Sequence, residues 1–182
     1  MNKRLMTLSA MVMLAALMRL APHPPNVTPI AAMALFGGAY FRDRKIAFLL
    51  PLAAMLLSDV ALGFGVYGMA SMKSQPVVYL CMLLIVAIGR SIQTRRSVPK
   101  IALATLASSL MFYVVTNFAV WAFDLLYPKT WDGLIACYTA AIPFFRNSLI
   151  GDIFFVAVLF GGFAVLERFW VSLREVREPL TV

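Results

Sequence analysis

The sequence predicts an all-α membrane protein in which six transmembrane helices form one integral membrane domain over residues 1–182. Hydrophobic residues make up 62% of the chain and the mean hydropathy is +0.87, far above the values of soluble domains. The apolar residues form stretches close to the length of a bilayer span, and the cations lie in short clusters between these stretches. The net charge of +8 therefore indicates membrane topology and not a nucleic-acid partner.

The first three predicted helices occupy residues 5–20, 28–41 and 46–62. A helix needs about 20 apolar residues to cross a bilayer, and the first stretch ends at a proline-rich segment that cannot continue a helix. The second stretch is short, ends near Gly37 and Gly38, and taken alone could be a re-entrant segment. The third follows the basic cluster RDRK and ends shortly after Asp59.

Three more helices are predicted at residues 76–90, 101–123 and 148–170. The fourth helix carries Cys81 near its beginning and ends on Arg90, the fifth is the clearest span, and the sixth contains Asp152. Residues 134–145 are predicted to form a separate interfacial or short helix before the last span. The sequence therefore predicts a break in the helix around Arg146 and Asn147.

The distribution of lysine and arginine predicts the orientation, because cytoplasmic loops are enriched in these residues. If residues 28–41 cross the membrane, one side carries twelve of the 16 cations: Lys3, Arg4, Arg42, Arg44, Lys45, Arg90, Arg95, Arg96, Lys100, Arg168, Arg174 and Arg177. The other side then carries four: Arg19, Lys73, Lys129 and Arg146. This asymmetry predicts that the short segment spans and that both termini are cytoplasmic.

This topology brings the unusual polar side chains to the outer face, where they predict a ligand pocket. The candidate site residues are His23, Asp59, Tyr67, Tyr79, Cys81, Asn117, Arg146 and Asp152. Several also have a structural interpretation. Tyr79 fits an aromatic belt at the membrane interface, Asp59 a hydrated helix end, and His23 an exposed loop. A carboxylate inside a membrane usually has a partner or a water-filled cavity, and Arg146 is the expected partner of Asp152.

The two cysteines, Cys81 and Cys137, lie in or beside apolar segments, and a disulfide between them stays open at this stage. A buried free cysteine usually behaves as a small hydrophobe, whereas a thiolate is also a soft metal ligand. The sequence contains no CxxC, HExxH, P-loop or Ser/His/Asp arrangement. ATP hydrolysis, if it drives this protein, must therefore take place in another subunit.

The segment PHPPNVTPIAAMALFGGAYF, residues 22–41, resembles the membrane-embedded substrate-binding (S) components of energy-coupling factor transporters. The resemblance is to the BtuM-like solitary S components, predicted cobalamin (vitamin B12) transporters, which carry a cysteine in the helix after the third span, the position of Cys81. It implies an S-component-like bundle, a multi-pass protein of the bacterial cytoplasmic (inner) membrane. The implied substrate is cobalamin or cobinamide, and no cofactor of the protein's own is expected.

The resemblance also implies a role for Cys81, whose thiolate would bind the corrin cobalt and so remove cyanide from cyanocobalamin. The implied partners are the corrinoid, the lipid bilayer and an ATP-driven energy-coupling module or none. Many S components dock through alanines at four-residue spacing on the first helix, but here Leu14 follows Ala10 and Leu20 follows Ala16. Other interpretations are an S component for another vitamin or a metal ion, a thiol enzyme acting on corrinoids, and a non-transporting membrane assembly protein.

Overall fold

The computed structural model describes residues 2–63 and 75–174, and this part of the chain is helical with no β-strand. The predicted all-α class is thereby confirmed. The α-helices are α1 (Lys3–Met18), α2 (Ile30–Tyr40), α3 (Arg44–Leu62), α4 (Gln75–Ser91), α5 (Val98–Phe123), α6 (Trp131–Val156) and α7 (Gly162–Phe169). A π-helical segment, Ala157–Gly161, joins α6 to α7, and a 3₁₀ turn, Val171–Leu173, follows α7.

Helix α2 is the centre of the fold. It contacts α1, α3, α4, α5 and α6, and every residue after Ile30 is buried. A helix covered on all sides must be apolar around its whole circumference, which explains the run IAAMALFGGAY. Its 11 residues extend about 16 Å, roughly half the thickness of a bilayer hydrocarbon core.

Two glycines allow α2 and α4 to pack with their backbones in direct contact. A Cβ atom on Gly38 would lie 2.2 Å from the Val86 carbonyl oxygen, and one on Gly89 would lie 2.3 Å from the Leu35 carbonyl oxygen. Small residues at helix interfaces permit this close approach in membrane proteins. The α2–α4 contact is the most extensive between any two helices in the described part of the chain.

The predicted break before the last span is wrong. Helix α6 runs without interruption through Pro143, Arg146 and Asn147, and with the π segment and α7 it forms a helical stretch from Trp131 to Phe169. Polar side chains need not end a membrane helix, because its backbone N–H and C=O groups form hydrogen bonds with one another. A single proline need not end it either, because neighbouring groups satisfy the carbonyl that the proline leaves without a donor. In the described residues, Arg44–Leu62, Val98–Phe123 and Trp131–Phe169 are long and apolar enough to cross a membrane.

One end of the bundle, called here the basic end, is where α1 and α5 begin and α2, α4 and α7 end. Arg4 joins the first helix to the last through an ion pair with Glu167, Nη1 to Oε1, of 2.5 Å. Gln93 donates to the Phe41 carbonyl at 2.7 Å, and Arg96 donates to a carbonyl near the end of α2. The carbonyl end of a helix attracts donors and positive charge, so these contacts stabilise the end of α2.

Candidate functional site

At the opposite end of the bundle, Asp59 forms a buried ion pair. Its Oδ1 atom lies 2.6 Å from Arg19 Nη2, and its Oδ2 atom accepts a hydrogen bond from the Tyr79 hydroxyl at 2.8 Å. Arg19 also donates to the Ser58 hydroxyl and, at 3.3 Å, to the Met55 carbonyl. Asp59 is only 3% exposed. The expectation of a hydrated helix end is therefore wrong, and the carboxylate links α1, α3 and α4.

Sequence reasoning did not identify Arg19 as the partner of Asp59. It lies one residue beyond α1, in the cap position, and only 7% of its surface is exposed. A signal was present: Arg19 lies between Met18 and Leu20, and both it and Asp59 lie at predicted helix ends on the same side. A cation between apolar neighbours at the same depth as a carboxylate is expected to pair with it.

Cys81 is completely buried, at 0% exposure. It belongs to a stripe of buried residues on one face of α4, formed by Cys81, Met82, Ile85, Val86 and Gly89. Gly89 places this face against α2. Tyr79, two residues before Cys81, points elsewhere because residues two apart on a helix do not share a face. Cys81 and Cys137 are both free thiols, so the possible disulfide is not formed.

Asn117 and Cys137 meet between α5 and α6. The Cys137 sulfur donates to the Asn117 carbonyl over 3.5 Å, and the Asn117 amide donates to the Tyr113 carbonyl at 2.8 Å. Asn117 also lines a cavity of about 130 Å³, whose other lining residues are Asn26, Ser109, Phe112, Tyr113, Thr116, Ala141, Phe144, Phe145 and Ser148. This polar cavity is separate from Cys81, which is not among its lining residues.

Asp152 does not pair with Arg146, contrary to the sequence-based expectation. Its Oδ2 atom lies 2.6 Å from the Ser109 hydroxyl of α5, and Asp152 is 6% exposed. Arg146 is six residues earlier on α6 and exposed. Six residues correspond to about 600° of helical rotation at 3.6 residues per turn, so the two side chains point to different faces of one helix.

The remaining candidate residues are dispersed. His23 is exposed in the loop between α1 and α2, with Nδ1 3.0 Å from the Pro24 carbonyl oxygen. Tyr67 lies outside the described residues. Of the predicted set, the described structure thus brings Asp59 and Tyr79 into contact. No three His, Cys, Asp or Glu side chains among the described residues converge as they would around a metal ion.

These features define an all-helical protein with apolar helices of membrane length and buried polar groups between them. The chain belongs to a family of unknown function, DUF6580, whose model matches residues 1–173. No curated protein and no solved structure matches the chain.

Proposed function

We propose that this protein is a membrane-embedded binding component for uptake of a corrinoid, cobalamin or cobinamide, and that the Cys81 thiolate binds the corrin cobalt. The supporting observation is the position of Cys81 relative to α2. Gly89 and Gly38 are in contact, and α2 and α4 run in the same direction because α3 lies between them in an alternating bundle. Cys81 and Ile30 are each eight residues before these glycines, about 12 Å along the helices.

Cys81 is therefore level with the first turn of α2, on the face of α4 that packs against α2. The N-terminus of α2 is capped by Pro29 without a side-chain hydrogen bond. Cys81 itself is completely buried, so its thiol would become a thiolate only as cobalt replaces the proton, because metal binding releases the protons of its ligands. The proposed ligand role therefore rests on this position of Cys81 and on the resemblance of its helix to the cysteine-bearing helix of the BtuM-like S components.

Corrinoid chemistry is compatible with a single protein ligand. The corrin ring supplies the equatorial nitrogens, which leaves the two axial positions of the cobalt, and a soft thiolate suits one of them. With cyanocobalamin, the Cys81 sulfur would form a bond to cobalt as the thiol loses its proton. Cyanide would leave with its electron pair and take up that proton as hydrogen cyanide, so the oxidation state of cobalt would not change. Cys81 is fully buried, so binding requires its neighbours to move apart.

The proposed topology has six passes, both termini in the cytoplasm, and the basic end at the cytoplasmic face of a bacterial inner membrane. It is supported by the contacts that gather Arg4, Arg96 and the end of α2 at one end of the bundle. Because α2 is too short to cross alone, the residues on either side of it would complete its passage.

We propose that uptake proceeds either with an ATP-driven energy-coupling module as a partner or without such a module. Helix α1 carries small residues that a module could contact, but Ala15 and Ala16 are buried inside the bundle. Ala10 is exposed. Docking through a continuous small-residue stripe on α1 is therefore disfavoured, which supports transport without a shared module.

The test is the visible absorption spectrum of purified protein mixed with cyanocobalamin. We expect a spectral shift and cyanide release with the native chain and with Cys137→Ala, and neither with Cys81→Ala. Cys137→Ala is a matched control because both cysteines are buried free thiols. An equal shift with Cys81→Ala would exclude Cys81 as the ligand, and failure of the native protein to retain a corrinoid would refute the proposed function.

A further inference from the structure

Asp152 is a buried carboxyl group that the proposed cargo site does not use. It lies in α6, is 6% exposed, and has no ion-pair partner within the described residues. Its polar contact is the Ser109 hydroxyl at 2.6 Å. An ionised carboxylate away from water is costly unless a cation or several donors compensate for its charge. One hydroxyl is a small compensation, so the group needs either a proton or a cation.

The contacts of Ser109 indicate that Asp152 carries a proton and is not paired with a cation. The Ser109 oxygen lies 2.6 Å from Asp152 Oδ2 and also 3.0 Å from the Thr105 carbonyl oxygen. A serine hydroxyl has one hydrogen to donate, and a carbonyl oxygen can only accept. If Ser109 donates to Thr105, the short contact with Asp152 becomes a hydrogen bond only when the carboxyl group is the donor. A protonated Asp152 therefore satisfies both contacts at once.

A polar cavity extends from Ser109, the partner of Asp152, to the surface of the protein. Ser109 lines the cavity of about 130 Å³ between α5 and α6, together with Thr116, Asn117, Ser148 and Asn26. This volume is well above the roughly 10–15 Å³ that one water molecule needs. Asn26 is exposed and turns the loop before α2 with a φ of 65°. The cavity thus extends from an exposed loop to the hydroxyl that holds Asp152.

We propose that Asp152, Ser109 and this cavity form a proton-binding site that exchanges protons with the aqueous phase on the Asn26 side of the protein. A proton from water in the cavity binds Asp152 Oδ2 and neutralises the carboxylate, and on release it returns by the same route. A role of this site in coupling uptake to a proton gradient would rest on the proposed function. The assignment does not depend on the identity of the cargo.

None of the charged or titratable side chains on the described helices packed against α6 supplies a counter-charge to Asp152. The elements packed against α6 carry Lys100 and Tyr113 on α5 and Tyr40 on α2, and α6 itself carries Asp132, Cys137, Tyr138 and Arg146. Lys100 is nine residues before Ser109, about 14 Å along α5. The Tyr113 hydroxyl donates to the Tyr138 carbonyl at 2.7 Å. None of these side chains forms an ion pair with Asp152.

Infrared spectroscopy of the purified full-length protein tests the site directly. At neutral pH we expect the native protein to show the carbonyl stretch of a protonated carboxylic acid. Asp152→Asn should lose this band, and Asp132→Asn, the same change at an exposed position of the same helix, should keep it. Ser109→Ala should shift the band to higher frequency because the carboxyl group loses its acceptor. A band that is absent from the native protein, or unchanged in Asp152→Asn, would overturn the proposal.

Deuterium exchange tests whether the cavity is the route of the proton to Asp152. Replacement of the cation in the buffer tests whether the site binds a proton or a metal ion. In D₂O the band should shift as the proton exchanges, and Asn117→Leu, which fills the cavity, should slow this shift several-fold without removing the band. An unchanged exchange rate in Asn117→Leu would overturn the cavity as the route. Loss of the band when sodium chloride replaces choline chloride at fixed pH would overturn the proton assignment, because a metal cation would then occupy the site.

Discussion

Arg19 and Asp59 form a buried ion pair that connects the end of α1 to α3, and Tyr79 adds a hydrogen bond from α4. Burial removes both charges from water, and their attraction compensates for this loss only while both partners are present. The Nε atom of Arg19 is buried without a hydrogen-bond partner among the described residues. Asp59 is therefore the carboxylate that compensates for the buried charge of Arg19.

Asp59→Asn should lower the free energy of unfolding by about 3–5 kcal/mol, because it leaves the Arg19 charge buried without a counter-charge. The midpoint of thermal unfolding in detergent measures this effect. Asp124→Asn is the control: Asp124 is exposed, and surface substitutions usually change stability by less than about 0.5 kcal/mol.

Tyr79→Phe should cost less than Asp59→Asn, about 1.5–3 kcal/mol, because it removes one hydrogen bond to a charged group and leaves the ion pair in place. The same unfolding measurement ranks the two variants. A larger loss for Tyr79→Phe than for Asp59→Asn would contradict the central role given to the carboxylate.

Helices α2 and α4 meet through glycines whose neighbours are backbone atoms. A methyl group on Gly89 would lie 2.3 Å from the Leu35 carbonyl oxygen, and a backbone carbonyl cannot rotate away as a flexible side chain can. Addition of one carbon atom here must therefore separate the two helices along the most extensive contact of the described fold.

Gly89→Ala should destabilise the protein by about 1–3 kcal/mol, the usual cost of overpacking. Gly161→Ala is the matched control, since a Cβ atom at Gly161 would meet nothing within 4 Å. Thermal unfolding in detergent should show a clear loss for the first variant and none for the second. Equal midpoints would mean that α2 and α4 are not in backbone contact.

Arg4 connects the first helix to the last. It forms the ion pair with Glu167 and donates to the Leu173 carbonyl, and its side chain is 12% exposed. Arg4→Ala should therefore cost about 1.5–3 kcal/mol, the range for hydrogen bonds to charged groups. Arg44→Ala, at an exposed position of the same end, should leave the unfolding midpoint nearly unchanged. A comparable loss in Arg44→Ala would point to a general effect of charge.

The proposed six-pass topology predicts that the two ends of the bundle face different compartments. Thr94, in the α4–α5 connection, and Leu125, in the α5–α6 connection, are both exposed, while the two natural cysteines are 0% and 2% exposed. In intact cells a membrane-impermeant maleimide should label Leu125→Cys and not Thr94→Cys. Thr94→Cys should become labelled after permeabilisation. Labelling of Thr94→Cys in intact cells would refute a cytoplasmic basic end.

The positions of most helices could be predicted from the sequence because they depend on local signals. Runs of apolar residues bounded by proline, charge and glycine indicated helices at 46–62, 76–90 and 101–123, and the structure has α3, α4 and α5 there with small differences at the ends. The separate helix at 134–145 was an error of the same local reasoning. It treated Arg146 and Asn147 as a boundary, although neither side chain interrupts the backbone hydrogen bonds of α6.

The partners of polar residues could not be predicted in the same way. Arg19 and Asp59 are 40 residues apart, and Ser109 and Asp152 are 43 residues apart. Which side chains meet depends on how each helix is rotated about its axis and on how closely the helices pack. The glycines of α2 and α4 set part of this packing, and a single sequence does not reveal which glycine faces which helix. Arg146 was the nearest cation to Asp152 in sequence but lies on another face.

The enclosed position of α2 has a consequence for the biogenesis of the protein. The ribosome produces α2 second and α4 fourth, yet α4 supplies the most extensive contact of α2. Until α4 arrives, Gly38 has no backbone to pack against, and α2 is too short to be held in the bilayer by its own apolar length. Under the proposed six-pass topology, the nascent chain must therefore keep α2 at the insertion machinery, or beside α1 and α3, until α4 has been synthesised.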